Sequence, residues 1–499
     1  MEEIQVTPFI PMTLLSLVLL WYITRIFLKS SSNKKQPPSP PKLPIIGNLH
    51  QLGSSLPHRG LHSLSQKHGP LMLLHFGSVP VLVVSSAEFA REIMVTHDTT
   101  FANRPRFKAM MKMVYGCRDV SLSSYGEYWR RLRSIVVLQL LSNKRVQSYR
   151  VIREEEAALV VKKVREASGN HTAVDLSAMF ESFSNDVIGR SAFGGKLSDS
   201  ENGRKFLKAM ADLMELLGVI DIGDFIPWLA WIGRVNGFDR RLDDTAKKID
   251  LVLESVIQER MQEENGQHFV DILLDIYNDK TADASIDRDS LKAIILDVFV
   301  GGTDTVSTTM EWTMSELLRH PTVMEKLQHE VRGIVKQNQE IVTDDDLQKM
   351  HYLKAVIKEA MRLHPPLPLL VPRLASKDVQ VKGFDISAGT IVMINAWAIG
   401  RDLVSWEKPE TFMPERFLNS SIDFKGLDFE LIPFGGGRRG CPGITLASAG
   451  MELLLADLVR KFDWKLAKGV EPKDLDMSES PGLTVHRAVP LLALASPAT

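Results

Sequence analysis

The sequence predicts a mainly α domain with small β-sheets, and three observations carry that expectation. Helical periodicity broken by polar stretches dominates from about Ala87 to Glu330; Ile249, Val252, Leu253 and Val256, for instance, share one helical face. Strong strand signal is confined to one hairpin, in which the apolar runs Leu71 to Phe76 and Val79 to Ser85 flank Gly77-Ser78. With 44% apolar and 24% charged residues among 499, the chain has material for one large core or two to three smaller ones.

The first element in chain order is the apolar run Phe9 to Leu28, about 20 residues and so roughly 30 Å as a helix, the thickness of a hydrocarbon core. Glu2 and Glu3 precede it, whereas Arg25, Lys29, Lys34 and Lys35 follow, so the bias of basic residues leaves the rest of the chain on the cytoplasmic side. A cleaved signal peptide and a buried core helix both fit less well: the first residues are acidic, and a lysine-bearing polar stretch follows. The glycosylation patterns at Asn170-His171-Thr172 and Asn419-Ser420-Ser421 go unused in a cytosolic domain. Lys34 to Pro44, with its five prolines, cannot continue a helix and reads as a stiff spacer or an orienting hinge. The expected division is an anchor at 1–30, a proline-rich hinge at 31–46 and one functional domain at 47–499.

Composition excludes several functions. A formal charge of −1 gives no global basic field, so nucleic acid is not an expected partner. Two cysteines, Cys117 and Cys441, are too few for a disulfide framework, and no cluster of Cys and His has the spacing of a zinc or iron–sulfur site. Each thiol is judged by its surroundings.

Cys441 ends a glycine-rich loop, Pro433-Phe434-Gly435-Gly436-Gly437-Arg438-Arg439-Gly440-Cys441-Pro442-Gly443, and a helical run from Ile444 to Leu458 follows. Glycines let a backbone approach a large flat ligand, and Pro442 can open a helix whose positive end favours a thiolate. A phosphate loop is the rival reading, but no Gly-Lys-Ser/Thr follows and no strand precedes. A second unusual stretch, Gly301-Gly302-Thr303-Asp304-Thr305, lies inside a helical pattern from about Asp289 to Arg319 that stops before Pro321. Each interior glycine costs a helix about 1 kcal/mol relative to alanine, so an ordinary amphipathic helix has little reason to pair two of them with a polar triplet.

Spacing singles out two further segments. Glu359 and Arg362, three apart, share a helical face ahead of Leu363-His364-Pro365-Pro366, and Pro414-Glu415-Arg416-Phe417 follows later. Trp129 and Arg133, four apart, share another, with a solvated basic face as the plain alternative.

Phe434, Gly437, Arg439, Cys441 and Gly443 match at every spacing the haem-binding signature of the cytochrome P-450 monooxygenases, and the other motifs extend this resemblance over nearly the whole chain. The resemblance implies the cytochrome P-450 fold, with haem b between the oxygen-side helix and the cysteine loop and Cys441 as the axial thiolate. It implies that Thr305 holds a water beside dioxygen and that Asp304 relays protons, although Val306 stands where the family usually has Ser or Thr. It implies propionate-binding roles for Trp129, Arg133, Arg439 and Arg373, and a buried structural network of Glu359, Arg362 and Arg416. Since no flavin or nicotinamide fingerprint is visible, electrons are expected from an NADPH-dependent diflavin reductase docking near Arg130, Arg131, Lys144, Arg145 and Arg438.

Substrate contacts are expected from Phe101 to Met113, Asp297 to Gly301, Leu367 to Val371 and Pro481 to Val485, whose apolar residues favour a lipophilic small molecule. The motifs look most like plant microsomal members, bound to the endoplasmic reticulum membrane and acting on terpenoids, phenylpropanoids, coumarins or alkaloids. Thr305 favours oxygen insertion over two alternatives, a haem-thiolate dehydratase or rearrangement enzyme and a non-enzymatic haem sensor.

Overall fold

The computed structural model describes residues 35–53, 56–262, 267–279, 286–335 and 339–498, together with Thr13 and Ser16. The expected anchor at 1–30 therefore lies almost wholly outside the described residues; among these, no helix is long and apolar enough to cross a membrane.

Helices dominate, as the periodicity requires. Among them are α1 (Pro57–His68), α2 (Glu127–Ser134), α3 (Arg150–Gly169), α4 (Leu176–Phe193), α5 (Glu201–Gly218), α6 (Phe238–Met261), α7 (Arg288–Arg319), α8 (Pro321–Ile334), α9 (His351–Leu363) and α10 (Ile444–Lys461). Asp287 caps α7 by accepting from the Ser290 N–H, and Pro321 opens α8 directly after α7 ends. On α6, Ile249, Val252, Leu253 and Ile257 are buried, while Val256 is only partly covered by the same core.

The strands are short: β1 (Leu71–Phe76), β2 (Val79–Val84), β3 (Val174–Asp175), β4 (Arg373–Leu374), β5 (Val379–Val381), β6 (Phe384–Ile386), β7 (Ile391–Ile394), β8 (Phe462–Leu466) and β9 (Leu492–Pro497). The predicted hairpin is β1–β2, and it joins the parallel β7 and then β4 in a sheet of order β1-β2-β7-β4. Gly77 turns the hairpin at φ +56, where a Cβ would lie 2.4 Å from the Phe225 carbonyl oxygen, so only glycine fits. β3-β9-β8 and β5-β6 form the two smaller sheets.

The described part of the proline run is tied to the domain. Pro38 O accepts from Leu73 N at 2.9 Å, and the buried Asn48 side chain reaches Pro40 O and Pro41 O. Two apolar cores flank α7: one gathers α3, α4, α8, α9 and α10, the other α5, α6 and the N-terminal half of α7. α7 is thus held along its length, which fixes the backbone of Gly301 to Thr305.

The Glu359 network exists as expected. Glu359 accepts from Arg362 Nε at 2.7 Å and Nη2 at 2.8 Å and from Arg416 Nε at 3.0 Å. Arg362 also donates to the carbonyls of Gly400, Pro409 and Thr411, so the pair ties α9 to the segment leading toward the cysteine loop.

Candidate active site

A cavity of about 280 Å³ separates α7 from the loop that ends in Cys441. Trp129, Arg133, Arg373, Phe434, Arg439, Cys441 and Thr305 all line it; Asp304 does not.

The loop is closed by Cys441 N donating to Phe434 O at 2.9 Å, with the Phe434 ring edge-on to Phe424. At Gly437 the φ is +66 and a Cβ would stand 2.1 Å from Met94 O, so the close approach demands glycine. Cys441 Sγ accepts from Gly443 N at 3.3 Å, and Gly443 is the N-cap of α10. Pro442 therefore precedes the helix and does not open it: the turn around the sulfur takes up Pro442, which leaves the Gly443 N–H aimed at Sγ. Burial pushes the Cys441 thiol up, while the Gly443 N–H and the Arg133 charge act against that shift. A bound metal ion holds such a thiol deprotonated.

Across the cavity, Thr305 Oγ1 donates to Gly301 O at 2.8 Å. A Cβ on Gly301 would meet nothing within 4 Å, whereas one on Gly302 would come within 2.6 Å of Ile188 Cδ1 on α4. The first glycine opens α7 to the cavity and the second lets α4 pack closely. The Asp304 carboxylate points to the other side, where Oδ2 accepts from Thr484 Oγ1 and Oδ1 lies 3.0 Å from His486 Nε2.

Positive charge is concentrated on one rim. Arg439 donates to the carbonyls of Ala102, Val120 and Ser123 and stacks 4.3 Å from the Trp129 ring, whose Nε1 donates to Val120 O at 3.0 Å. Arg133 donates to Gly440 O at 2.6 Å. Arg373 donates through Nη2 to Gly436 O at 3.0 Å, but its buried Nη1 has no hydrogen-bond partner. Burial pushes Arg373 and Arg439 each down to about 10, in the second case with help from the Arg373 charge.

A fourth cation, Arg104, is fully enclosed and held well below its ordinary range by burial and then by the charges of Arg373 and Arg439. It donates to the carbonyls of Ser121, Val371 and Pro372. Sequence reading covered it only within the range Phe101 to Met113, because no spacing pattern links an isolated arginine to a distant loop.

Nearby carboxylates do not balance this charge. Asp98 stands 3.8 Å from Arg373 Nη1 and already takes Arg438 Nε at 2.6 Å. Asp297 accepts from the Val120 and Ser121 amides and from Ser121 Oγ, and burial pushes its carboxyl up. The unpartnered Arg373 nitrogen and the surplus of buried cations fit a group carrying carboxylates of its own, as haem does with its two propionates.

The expected substrate ranges reach the cavity only in part, and of Phe101 to Met113 only Arg104 does, whereas Phe107, Ala109 and Met110 border a separate pocket. Val298, Leu367, Leu370 and Val371 line the cavity with Val120 and Phe183. Pro481 to Val485 do not: Gly482 and Leu483 border a separate pocket beside Leu217, and Thr484 grips Asp304. Of the expected docking residues, Arg130, Arg131 and Lys144 are exposed, while the Arg438 charge is partly taken by Asp98.

A cysteine opening onto an internal cavity just before a helix N-terminus, facing a glycine-opened helix across a cation-rimmed space, defines the haem-thiolate class of proteins. The sequence profile described as Cytochrome P450 matches residues 37–491, and the chain belongs to the cytochrome P450 family. It is 56% identical over 492 residues to cytochrome P450 71A8 of Mentha piperita, covering 96% of this chain and 94% of that one. It is 50% identical over 479 residues to the tabersonine/lochnericine 19-hydroxylase of Catharanthus roseus, covering 94% of each. A zebra fish cytochrome P450 solved with abiraterone superposes with a TM-score of 0.74 at 25% identity, covering 89% of this chain and all of that one. The chain is accordingly a P450-type monooxygenase whose cofactor is a thiolate-ligated haem.

Proposed function

We propose that this chain inserts one atom of dioxygen into a lipophilic plant specialised metabolite of the terpenoid, phenylpropanoid, coumarin or alkaloid class, the other atom leaving as water. The observation that carries the reading is Thr305 lining the same apolar cavity as Cys441, on its opposite wall. A relative named tabersonine/lochnericine 19-hydroxylase, from Catharanthus roseus, supports hydroxylation of a plant metabolite.

In this reading Cys441 would hold the haem through its thiolate, and haem when bound would supply the oxygen-activating chemistry. Arg373, with Arg104, Arg133 and Arg439, holds the propionates; Trp129 packs beside them, and Phe434 shields the sulfur side. Thr305 holds a water at the oxygen side, and Asp304 passes protons toward it. Electrons come from an NADPH-dependent diflavin reductase docking over the exposed Arg130, Arg131 and Lys144. Residues 1–30 anchor the chain in the endoplasmic reticulum membrane and the hinge at 31–46 orients the domain.

The test begins with the spectrum of the reduced, carbon monoxide-bound protein. Thiolate ligation gives a red-displaced band that Cys441→Ala abolishes, and retention of that band by the variant refutes the ligand assignment. A metabolite library screened with reductase and NADPH is then expected to yield oxygenated product. Dehydrated or rearranged product formed without NADPH would refute oxygen insertion.

A further inference from the structure

Asp304 faces away from the cavity, into a polar cluster built by α7 and the C-terminal segment. Thr308 Oγ1 donates to Asp304 O at 2.7 Å and can accept a further hydrogen bond. His486 Nδ1 lies 3.0 Å from that oxygen. His486 Nε2 lies 3.0 Å from Oδ1 of Asp304. Each ring nitrogen thus has an oxygen able to accept from it, so the site accommodates an imidazolium.

The charges around it agree. Asp304 and Glu311 face the ring from α7, with Glu311 Oε2 4.0 Å from Nδ1, and Glu181 of α4 adds a third negative charge. The guanidinium of the adjacent Arg487 donates to Val489 O and to Ser315 Oγ, while its backbone N–H donates to Glu311. Burial lowers the imidazole's affinity for a proton, but Asp304, Glu311 and Glu181 outweigh it and raise His486 above its ordinary value. The imidazole also keeps 37% of its side-chain surface exposed and does not line the cavity, so it meets solvent from outside.

We propose that His486 is a positioning and relay residue that hands protons from outside solvent to Asp304, whose role in the function proposed above this inference presupposes. Each insertion takes up one dioxygen, two electrons from the reductase and two protons, and releases one water. In the relay step the Nε2–H bond of His486 breaks and an O–H bond forms on Asp304 Oδ1. The neutral imidazole then regains a proton from water at its exposed edge, and no electron moves. Thr484 and Thr308 hold the two partners in register. The new Asp304 O–H bond then breaks as the carboxyl, turned to the Gly301 side of α7 where no side chain stands in the way, gives its proton to the water held by Thr305, and Asp304 returns to His486 ionised.

The experiment uses the full-length holoenzyme with diflavin reductase and NADPH, and reads dioxygen consumption from about pH 6 to about pH 9, in water and in deuterium oxide. Wild type, His486→Ala, His486→Gln and Asp304→Asn are compared, each checked for the red-displaced carbon monoxide band. Gln restores a donor to Asp304 without a titratable proton. Both His486 variants are expected to consume dioxygen at least roughly tenfold more slowly, with a larger solvent isotope effect. They also lose the fall in rate that wild type shows as rising pH strips the imidazolium. Full rescue by Gln overturns the proposal, because bracing alone would then account for His486. An effect of Asp304→Asn without one of His486→Gln overturns it while leaving the Asp304 role standing; an inert Asp304→Asn removes both. If the His486 variants lose haem, Thr308→Val decides. It keeps the imidazole but removes its Nδ1 partner, so the pH midpoint must move to lower pH, and an unmoved midpoint overturns the relay.

Discussion

Replacing Glu359 by Gln removes the one negative charge shared by two buried arginines. The side chains of Glu359 and Arg362 are 0% exposed and that of Arg416 is 7% exposed. Glu359 accepts four hydrogen bonds, from two Arg362 nitrogens, from Arg416 Nε and from Met413 N at 2.8 Å. Gln keeps the shape but turns an N–H donor toward donors and leaves two positive charges unpaired. Breaking a buried pair from one side costs about 3–5 kcal/mol. At an unfolding entropy of about 2.1 cal/mol/K per residue, a chain of 499 residues loses about 1 kcal/mol of stability per degree, so the midpoint falls by only about 3–5 °C. Thermal unfolding of the holoenzyme by far-ultraviolet circular dichroism measures the shift. Because Arg362 also ties down Gly400, Pro409 and Thr411, the carbon monoxide band is expected to vanish before the bulk helix signal. A midpoint within about 1 °C of wild type, with the two signals still lost together, would refute the reasoning.

Arg373→Leu removes the one rim arginine with an unpartnered buried nitrogen; losing a charge-assisted bond worth about 1.5–3 kcal/mol weakens haem binding roughly 10- to 150-fold, read as haem transfer to an acceptor apoprotein. Gly302→Val collides with Ile188 and costs about 1–3 kcal/mol, whereas Gly301→Ala, with open space at its Cβ, is neutral or gains up to about 1 kcal/mol of helix stability; urea unfolding separates the two. Burial raises the Glu452 carboxyl from its ordinary value of 4.5 to about 7, so the folded state holds a proton that the unfolded chain releases between those values. Stability is therefore lost as pH rises through that window, and Glu452→Gln is expected to gain about 1–3 kcal/mol relative to wild type at and above neutral pH but not near pH 4. Denaturant midpoints across the pH range measure it.

The legible features were those written in short stretches of chain. The β1–β2 hairpin, the span of α7 to within one residue, and the glycine loop into Cys441 each depend on neighbours a few positions apart, where backbone geometry and periodicity act. Charge pairs three apart on one helix were legible for the same reason, as with Glu359 and Arg362.

What stayed hidden depends on contacts between distant segments. Arg104 reaches residues 267 and 268 positions away at Val371 and Pro372, and no local pattern encodes that. Asp304 has the same sequence context whether its carboxylate faces the cavity or His486, and only packing of the C-terminal segment against α7 turned it outward. By itself the sequence marked out the Cys441 loop and the helix opposite, because in each stretch the glycines lie within a few residues of the thiol or of the polar triplet beside them. The tertiary structure alone decided which arginine nitrogen is left without a partner and which groups surround the Asp304 carboxylate, because both follow from which distant groups occupy the remaining hydrogen-bonding positions.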